Sequence, residues 1–290
     1  MDIGVIGAGS LGLLYSYYLS KNYSITLYTN KVAQADSLNN NGLTIHRDNN
    51  QYHRNIHASA ARKYNEQFLI VTVKQYQLKD IIEILKSTPA KIILFLQNGM
   101  GHLELLSEIS HHQIILGISE HGALKMNETT VQHTGIGLTK LALFNNQTDI
   151  KSIQQIIEHQ HPLFSIKLYP EWEKMLKEKL IVNATINPLT SLLRVKNGAL
   201  INEPYFNKLF HELFLEVVHV LGESDVDELW LHVQKICENT AENISSMYKD
   251  LQQGNQTEID SILGYLIDNA QNKDIPYIRF LYQAIKGIEE

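Results

Sequence analysis

Apolar residues follow two rhythms along this chain, and the change from one to the other divides it. The first rhythm is a set of short, near-continuous apolar runs separated by amphipathic stretches. The runs are Ile3-Gly4-Val5-Ile6, Ser24-Ile25-Thr26-Leu27-Tyr28-Thr29, Phe68-Leu69-Ile70-Val71-Thr72-Val73, Ile92-Ile93-Leu94-Phe95-Leu96 and Ile114-Ile115-Leu116-Gly117-Ile118. Strands that are apolar on both faces predict a parallel sheet covered on both sides. The stretch with Leu13, Leu14, Tyr17 and Tyr18, and those near 77–87 and 102–110, supply crossover helices. Between about 120 and 145, Thr, Gly and His with short alternating runs predict added antiparallel strands, and 164–169 predicts one more. From Glu171 the period becomes helical, over 171–195, 204–222, 226–251, 258–271 and 276–288, with Pro276 suited to a first helical turn. The expected architecture is α/β, with a nucleotide-binding domain over 1–169 and an all-α domain over 170–290. No low-complexity linker separates them, so the halves are expected to pack directly and leave a cleft.

The first strand runs straight into Gly7-Ala8-Gly9-Ser10-Leu11-Gly12 and a helix follows. In such a strand–turn–helix the first glycine permits the tight turn and the second lets backbone approach a pyrophosphate. The third lets the helix lie close to the strand. The free amides and positive dipole end of the helix then face the anion. An NAD site usually carries Asp or Glu at the end of the second strand to bind the ribose 2′-hydroxyl. Here that place holds Thr29-Asn30-Lys31, and the first acid after it is Asp36. A carboxylate would repel a 2′-phosphate, whereas Lys31 and the Asn30 amide can bind one, which favours NADP(H). Lys31 taken by itself also reads as an ordinary solvated loop lysine.

Bulk composition narrows the class. The chain has 290 residues, 44% hydrophobic and 19% charged, with a net charge of −6, the profile of a soluble globular protein without a nucleic-acid-binding surface. One cysteine, Cys237, excludes an intrachain disulfide and suits a reducing cytoplasm. It lies among Trp230, Val233, Ile236, Ala241 and Ile244, so it reads as a buried, inert thiol. No apolar run approaches the roughly 20 residues that span a bilayer, and the glycine-interrupted N-terminal stretch does not read as a secretory signal. The thirteen histidines are scattered without metal-ligand spacing, so no metal site is expected. The pairs Gln132-His133 and His111-His112 read as surface or structural.

The helical half carries one unusual pattern. At about 3.6 residues per turn, Trp172, Met175, Leu176, Lys179, Asn183, Ile186 and Asn187 share a side of the 171–195 helix. Lys179, Asn183 and Asn187 stand where an amphipathic helix should carry hydrophobes. Two readings remain open on pattern alone: a functional stripe, or a buried structural polar network. Desolvation lowers a lysine pKa from about 10.4 toward the range of a proton donor near neutrality. Pro188 disfavours helix at Asn187, predicting a kink there.

These residues carry a resemblance. Gly7-Ala8-Gly9-Ser10-Leu11-Gly12, Gln97-Asn98-Gly99, Trp172 through Lys179-Leu180 to Asn183, Asn187-Pro188-Leu189-Thr190, Asn197-Gly198, and Ser245-Ser246-Met247 leading to Thr257-Glu258-Ile259-Asp260 occur in this order in ketopantoate reductases, which the chain resembles over essentially its whole length. The resemblance implies a Rossmann-like domain followed by an all-α domain similar to the C-terminal domain of 6-phosphogluconate dehydrogenase. It implies NADPH-dependent reduction of 2-dehydropantoate to (R)-pantoate, on the route to pantothenate and coenzyme A. Lys179 would be the general acid, and Glu258 would hydrogen-bond the substrate hydroxyl. Asn183, Asn187, Asn197 and Ser246 would hold the substrate, and Asn98 would contact cofactor and substrate. Lys74 would contact the cofactor, Lys31 would read its 2′-phosphate, and 121–123, with Ala123, would close the nucleotide domain.

Two departures stand out: Asn255 replaces an arginine common before Thr257-Glu258-Ile259-Asp260, and Lys31 replaces an arginine usual after the second strand. Without the resemblance, Glu258 reads as a first-turn acid behind a Thr257 cap. Two further functions compete: a reductase of another branched 2-oxo acid, and a non-catalytic NADP(H)-binding sensor on the same fold. The long helices after Asn197 could bury a homodimer face or complete one core.

Overall fold

Residues 1–145 and 150–290 are described by a computed structural model. Its main sheet is built from the apolar runs. Strand β1 (Asp2–Ile6) is buried from Ile3 onward. It lies beside β2 (Ser24–Tyr28) on one side. The following stretch forms β3 (Leu43–Arg47), β4 (Asn50–Arg54) and β5 (His57–Ser59). Then come β6 (Phe68–Val71) and β7 (Ile92–Phe95), both buried at every residue, and β8 (Gln113–Ser119). The series ends with β9 (Gly122–Lys125), β10 (Thr130–Gly135), β11 (Leu138–Leu143) and β12 (Ser165–Leu168).

The eight-stranded sheet has the order β12-β11-β8-β7-β6-β1-β2-β5. Its neighbours pair in parallel except β8 with β11. Helices α1 (Ser10–Leu19), α2 (Val32–Asn41), α3 (Leu78–Lys86), α4 (Leu103–Leu106) and α5 (Ile150–Glu158) connect or flank the strands. The helix expected near 102–110 is only α4 plus a 3-10 turn over Ser107–Ile109.

A second, four-stranded sheet has the order β4-β3-β10-β9. Its β9 and β10 fall in the region where added antiparallel strands are expected. The β3–β4 hairpin is not among the expected elements. It turns through Asp48 and Asn49, whose φ values of 50° and 62° are those of a two-residue hairpin loop with both residues left-handed. The strands are polar and half exposed, so no apolar run marks them; the Asp-Asn pair is the signal that does.

In the helical part, α6 (Trp172–Leu193) is continuous and includes Pro188. The kink expected at Asn187 does not end the helix. Hydroxyls line its interior instead: Thr185 Oγ1 donates to Ile181 O, Thr190 Oγ1 to Ile186 O and Ser191 Oγ to Asn187 O, at 2.6, 2.9 and 2.6 Å. Next come α7 (Ala199–Asn202) and α8 (Pro204–Leu221). The single helix expected over 226–251 is two, α9 (Val226–Asn239) and α10 (Ser246–Gln252). The break has two causes. The carbonyls of Ala241 and Asn243 accept from Gly198 N and Asn197 N at 3.0 and 3.1 Å, and Ser245 caps a new helix by accepting from Tyr248 N. The stretch expected over 258–271 is a π-helical turn, Asp260–Gly264, running into α11 (Tyr265–Asn269). The last helix, α12 (Pro276–Glu289), starts on Pro276 as expected.

Contacts sort the chain into two units. One holds Met1–Gln97 and Leu103–Met175; the other holds Asn98–His102 and Leu176–Glu290. The first unit thus includes the opening turn of α6, and a short segment after β7 belongs with the helices.

Candidate active site

The loop between β1 and α1 is shaped by its glycines. Gly7 has φ of 109°, which side-chain-bearing residues rarely adopt. It is held by its amide on Tyr28 O at 3.0 Å, and its carbonyl accepts from Thr72 Oγ1 at 2.9 Å. A Cβ on Gly12 would stand 1.7 Å from Gly7 O, so nothing larger fits where helix and strand meet. A Cβ on Gly9 would meet nothing within 4 Å. That position is open, as close approach by a phosphate requires.

Helix α1 has no side-chain cap and no acid in its first turn, so its leading amides and dipole suit an external anion. The Ser10 hydroxyl accepts from Lys125 N at 3.0 Å, tying the loop to β9, where Ala123 sits half-buried. Buried Gln34, absent from the sequence candidates, donates from Nε2 to Ala8 O and Glu128 O, both at 3.0 Å. A polar residue on the inward face of α2 is the signal that marks it. Asn30 and Lys31 are exposed at the end of β2, with Lys31 preceding α2, and Lys74 is half-buried beyond β6. This loop fits a dinucleotide.

The helical unit carries the second group. On α6, Lys179 is half-buried, while Asn183 and Asn187 are 8% and 9% exposed. Glu258 is also buried, and its Oε2 accepts from Asn98 Nδ2 at 2.8 Å. Met100 N donates to Ser261 O, which holds the same short segment against the π-helical turn. Asn197 donates from Nδ2 to Thr240 Oγ1 at 2.9 Å, while its buried Oδ1 has no hydrogen-bond partner among the described residues. That oxygen is a buried acceptor with capacity for one more donor. Ser246 is exposed at the start of α10. Its neighbour Ser245 is the buried one, with its Oγ 2.9 Å from Thr190 Oγ1, joining α10 to α6. Asn98 and Glu258 are thus in direct contact. Asn197 is held to the 240–245 break by its bonds to Thr240 and Asn243, and Ser246 follows that break at the start of α10.

Cys237 is inert: buried, donating to Asn197 O at 3.0 Å, its thiol pushed up to about 12 by burial. Burial also pushes His102 down to about 4, leaving it neutral. In the nucleotide unit, His121 is pushed down to about 4 by burial and then by the neighbouring His133. Gly137 N donates to His121 Nδ1 at 3.1 Å, which assigns the proton of neutral His121 to Nε2. His133 Nε2, 3.3 Å from the same atom, is then the donor, and its Nδ1 accepts from Tyr18 OH at 2.7 Å. Arg47 closes the chain by donating to the Tyr18 oxygen at 3.0 Å. His133 therefore belongs to a network running from β3 through α1 and β10 to His121, just before β9. Among the described residues no group of His, Cys, Asp and Glu side chains forms a metal site, and no helix is long and apolar enough to cross a membrane.

A parallel sheet with a glycine loop at the first strand–helix turn, followed by an all-helical unit, defines a Rossmann-like nucleotide-binding protein with a helical second domain. Comparison with known proteins is more specific. Residues 3–146 match the family model described as "Ketopantoate reductase PanE/ApbA", and residues 171–289 match "Ketopantoate reductase PanE/ApbA C terminal". The chain belongs to the ketopantoate reductase family. It is 39% identical to the 2-dehydropantoate 2-reductase of Bacillus subtilis over 292 residues, covering 100% of this chain and 98% of that one. It is 40% identical to the Listeria innocua protein of the same name over 299 residues, covering 100% and 97%. The crystal structure of the probable 2-dehydropantoate 2-reductase PanE from Bacillus subtilis superposes with a TM-score of 0.91 at 38% identity, covering 99% of this chain and 100% of that one. A ternary structure of D-mandelate dehydrogenase shares the fold, with a TM-score of 0.88 at 20% identity and coverage of 100% and 98%.

Proposed function

We propose that this protein is an NADPH-dependent 2-dehydropantoate 2-reductase that makes (R)-pantoate for pantothenate and coenzyme A synthesis in the cytoplasm. The observation that carries the reading is the placement of Lys179, Asn183 and Asn187 one turn apart on α6, with both amides buried. A chain rarely holds a half-buried ammonium over two buried amides without a use for it, because each desolvated polar group costs stability.

The glycine loop, the α1 N-terminus, Asn30, Lys31, Lys74 and Ala123 hold the dinucleotide, which supplies a hydride when bound. The exposed Lys31 ammonium and the absence of a carboxylate at the end of β2 favour a 2′-phosphate. Lys179 Nζ donates its proton to the substrate's ketone oxygen and stabilises the alkoxide charge that develops there. The resulting neutral amine regains its proton from water. Asn183, Asn187, Asn197 and Ser246 orient the acid through directional hydrogen bonds. Asn98 reaches substrate and cofactor, and Glu258 accepts from the substrate's terminal hydroxyl.

Steady-state turnover of 2-dehydropantoate with NADPH tests the activity, and Lys179→Ala tests the role. The variant should lose roughly 10²–10⁴-fold in kcat while binding NADPH as before. Near-normal kcat in Lys179→Ala would remove the general-acid assignment.

A further inference from the structure

Glu258 sits in a segment gripped from outside by one face of α12. The amide of Thr257, just before it, donates to Glu289 Oε1 at 2.7 Å. Two residues beyond it, Asp260 Oδ1 accepts from Tyr282 OH at 2.8 Å, and Asp260 Oδ2 lies 3.2 Å from Lys286 Nζ. Lys286 also reaches Glu289 Oε2 at 3.3 Å. Tyr282, Lys286 and Glu289 are spaced by four and three residues, so they share one stripe of α12.

The Glu289 contact differs from the other two. Its side chain is only 8% exposed, whereas those of Lys286 and Asp260 are 35% and 47% exposed. A nearly buried carboxylate on a backbone amide is a charge-assisted bond in a poorly screened setting. The amide it serves opens the turn whose carbonyl at Glu258 accepts from Ser261 N, Ile262 N and Ser261 Oγ. Glu289 thus supplies, from another helix, the cap that this turn's own sequence does not give to Thr257 N. Thr257 Oγ1 is already spent on Ile259 N at 3.1 Å.

We propose that Glu289 is a positioning residue for Glu258: by holding the Thr257 amide it sets the backbone from which the Glu258 carboxylate reaches Asn98 and the substrate's terminal hydroxyl. This rests on the reading of Glu258 given under the proposed function. Glu289 touches neither substrate nor cofactor; it acts through the peptide of Thr257. Its length matters more than its charge, because an amide oxygen at the same reach accepts the same bond.

The test is the selectivity ratio, kcat/KM for 2-dehydropantoate over kcat/KM for the branched 2-oxo acid that lacks only the terminal hydroxyl. The second substrate gives Glu258 nothing to bind, so a general loss of stability lowers both terms and leaves the ratio alone. Glu258→Ala, which removes the acceptor, should lower the ratio. Glu289→Ala and Glu289→Asp should each lower it about tenfold, and Glu289→Gln should restore most of it. If Glu289→Ala does not fold, the Asp and Gln pair makes the same comparison of reach against charge. A ratio within about twofold of the unaltered protein in Glu289→Asp, with Glu258→Ala still lowering it, overturns the inference. A ratio unmoved by Glu258→Ala overturns the reading of Glu258, and this inference with it.

Discussion

Asn98 Nδ2 donates to Glu258 Oε2 at 2.8 Å, joining residues 160 positions apart in sequence. The bond engages Oε2 of a carboxylate that is itself buried. It also gives Asn98 a task inside the helical unit, where its own segment, Asn98–His102, belongs by contact.

The two side chains should therefore act as one unit. In a double-mutant cycle on kcat/KM for 2-dehydropantoate, Asn98→Ala and Glu258→Ala should be non-additive by about 1–2 kcal/mol. Additive losses would mean that the bond has no part in substrate recognition.

Two glycines of one loop should fail in different ways. Gly12→Ala puts a methyl group against the Gly7 carbonyl, 1.7 Å away before any shift, and should cost about 1–3 kcal/mol of stability. Gly9→Ala meets no protein atom within 4 Å, so its Tm should stay within a few degrees while NADPH binding weakens at least about tenfold. Thermal denaturation and cofactor titration of both variants make the comparison. A Gly9→Ala protein with unimpaired NADPH binding would show that the pyrophosphate does not lie over this loop.

Lys31→Glu should narrow the preference for NADPH over NADH by about tenfold or more, since a cation beside the expected 2′-phosphate becomes an anion. The readout is the ratio of kcat/KM for the two cofactors. An unchanged ratio would make Lys31 a solvated loop residue and nothing more.

Buried neutral histidines give stability an acid-side slope. His102 and His121 are both pushed down from 6.5 to about 4, chiefly by burial. Below pH 6.5 the unfolded chain takes up protons that the folded chain refuses until about pH 4, so their contribution is whole above 6.5, falls between the two values and levels off below. For His102, which is 1% exposed, the full loss is about 3 kcal/mol. Denaturant unfolding of His102→Leu between pH 7 and pH 4.5 should show a shallower decline than the unaltered protein. Parallel declines would show that His102 is not held neutral.

The sequence by itself determined the main strands, the glycine loop and the polar stripe on α6, because each is written locally. An apolar run buried on both faces, a glycine where a methyl would strike a carbonyl, and polar groups on an apolar face are patterns within a few turns of chain. The β3–β4 hairpin escaped that reading because its strands are half exposed and only Asp48-Asn49 marks it. The break between α9 and α10 escaped it because the carbonyls that end the helix are taken by Asn197 and Gly198, which lie about 40 residues earlier. Only tertiary structure could decide the company of Glu258. Its partner follows β7 and its backbone anchor comes from α12, and no periodicity along a chain encodes a hydrogen bond between elements that meet only on folding.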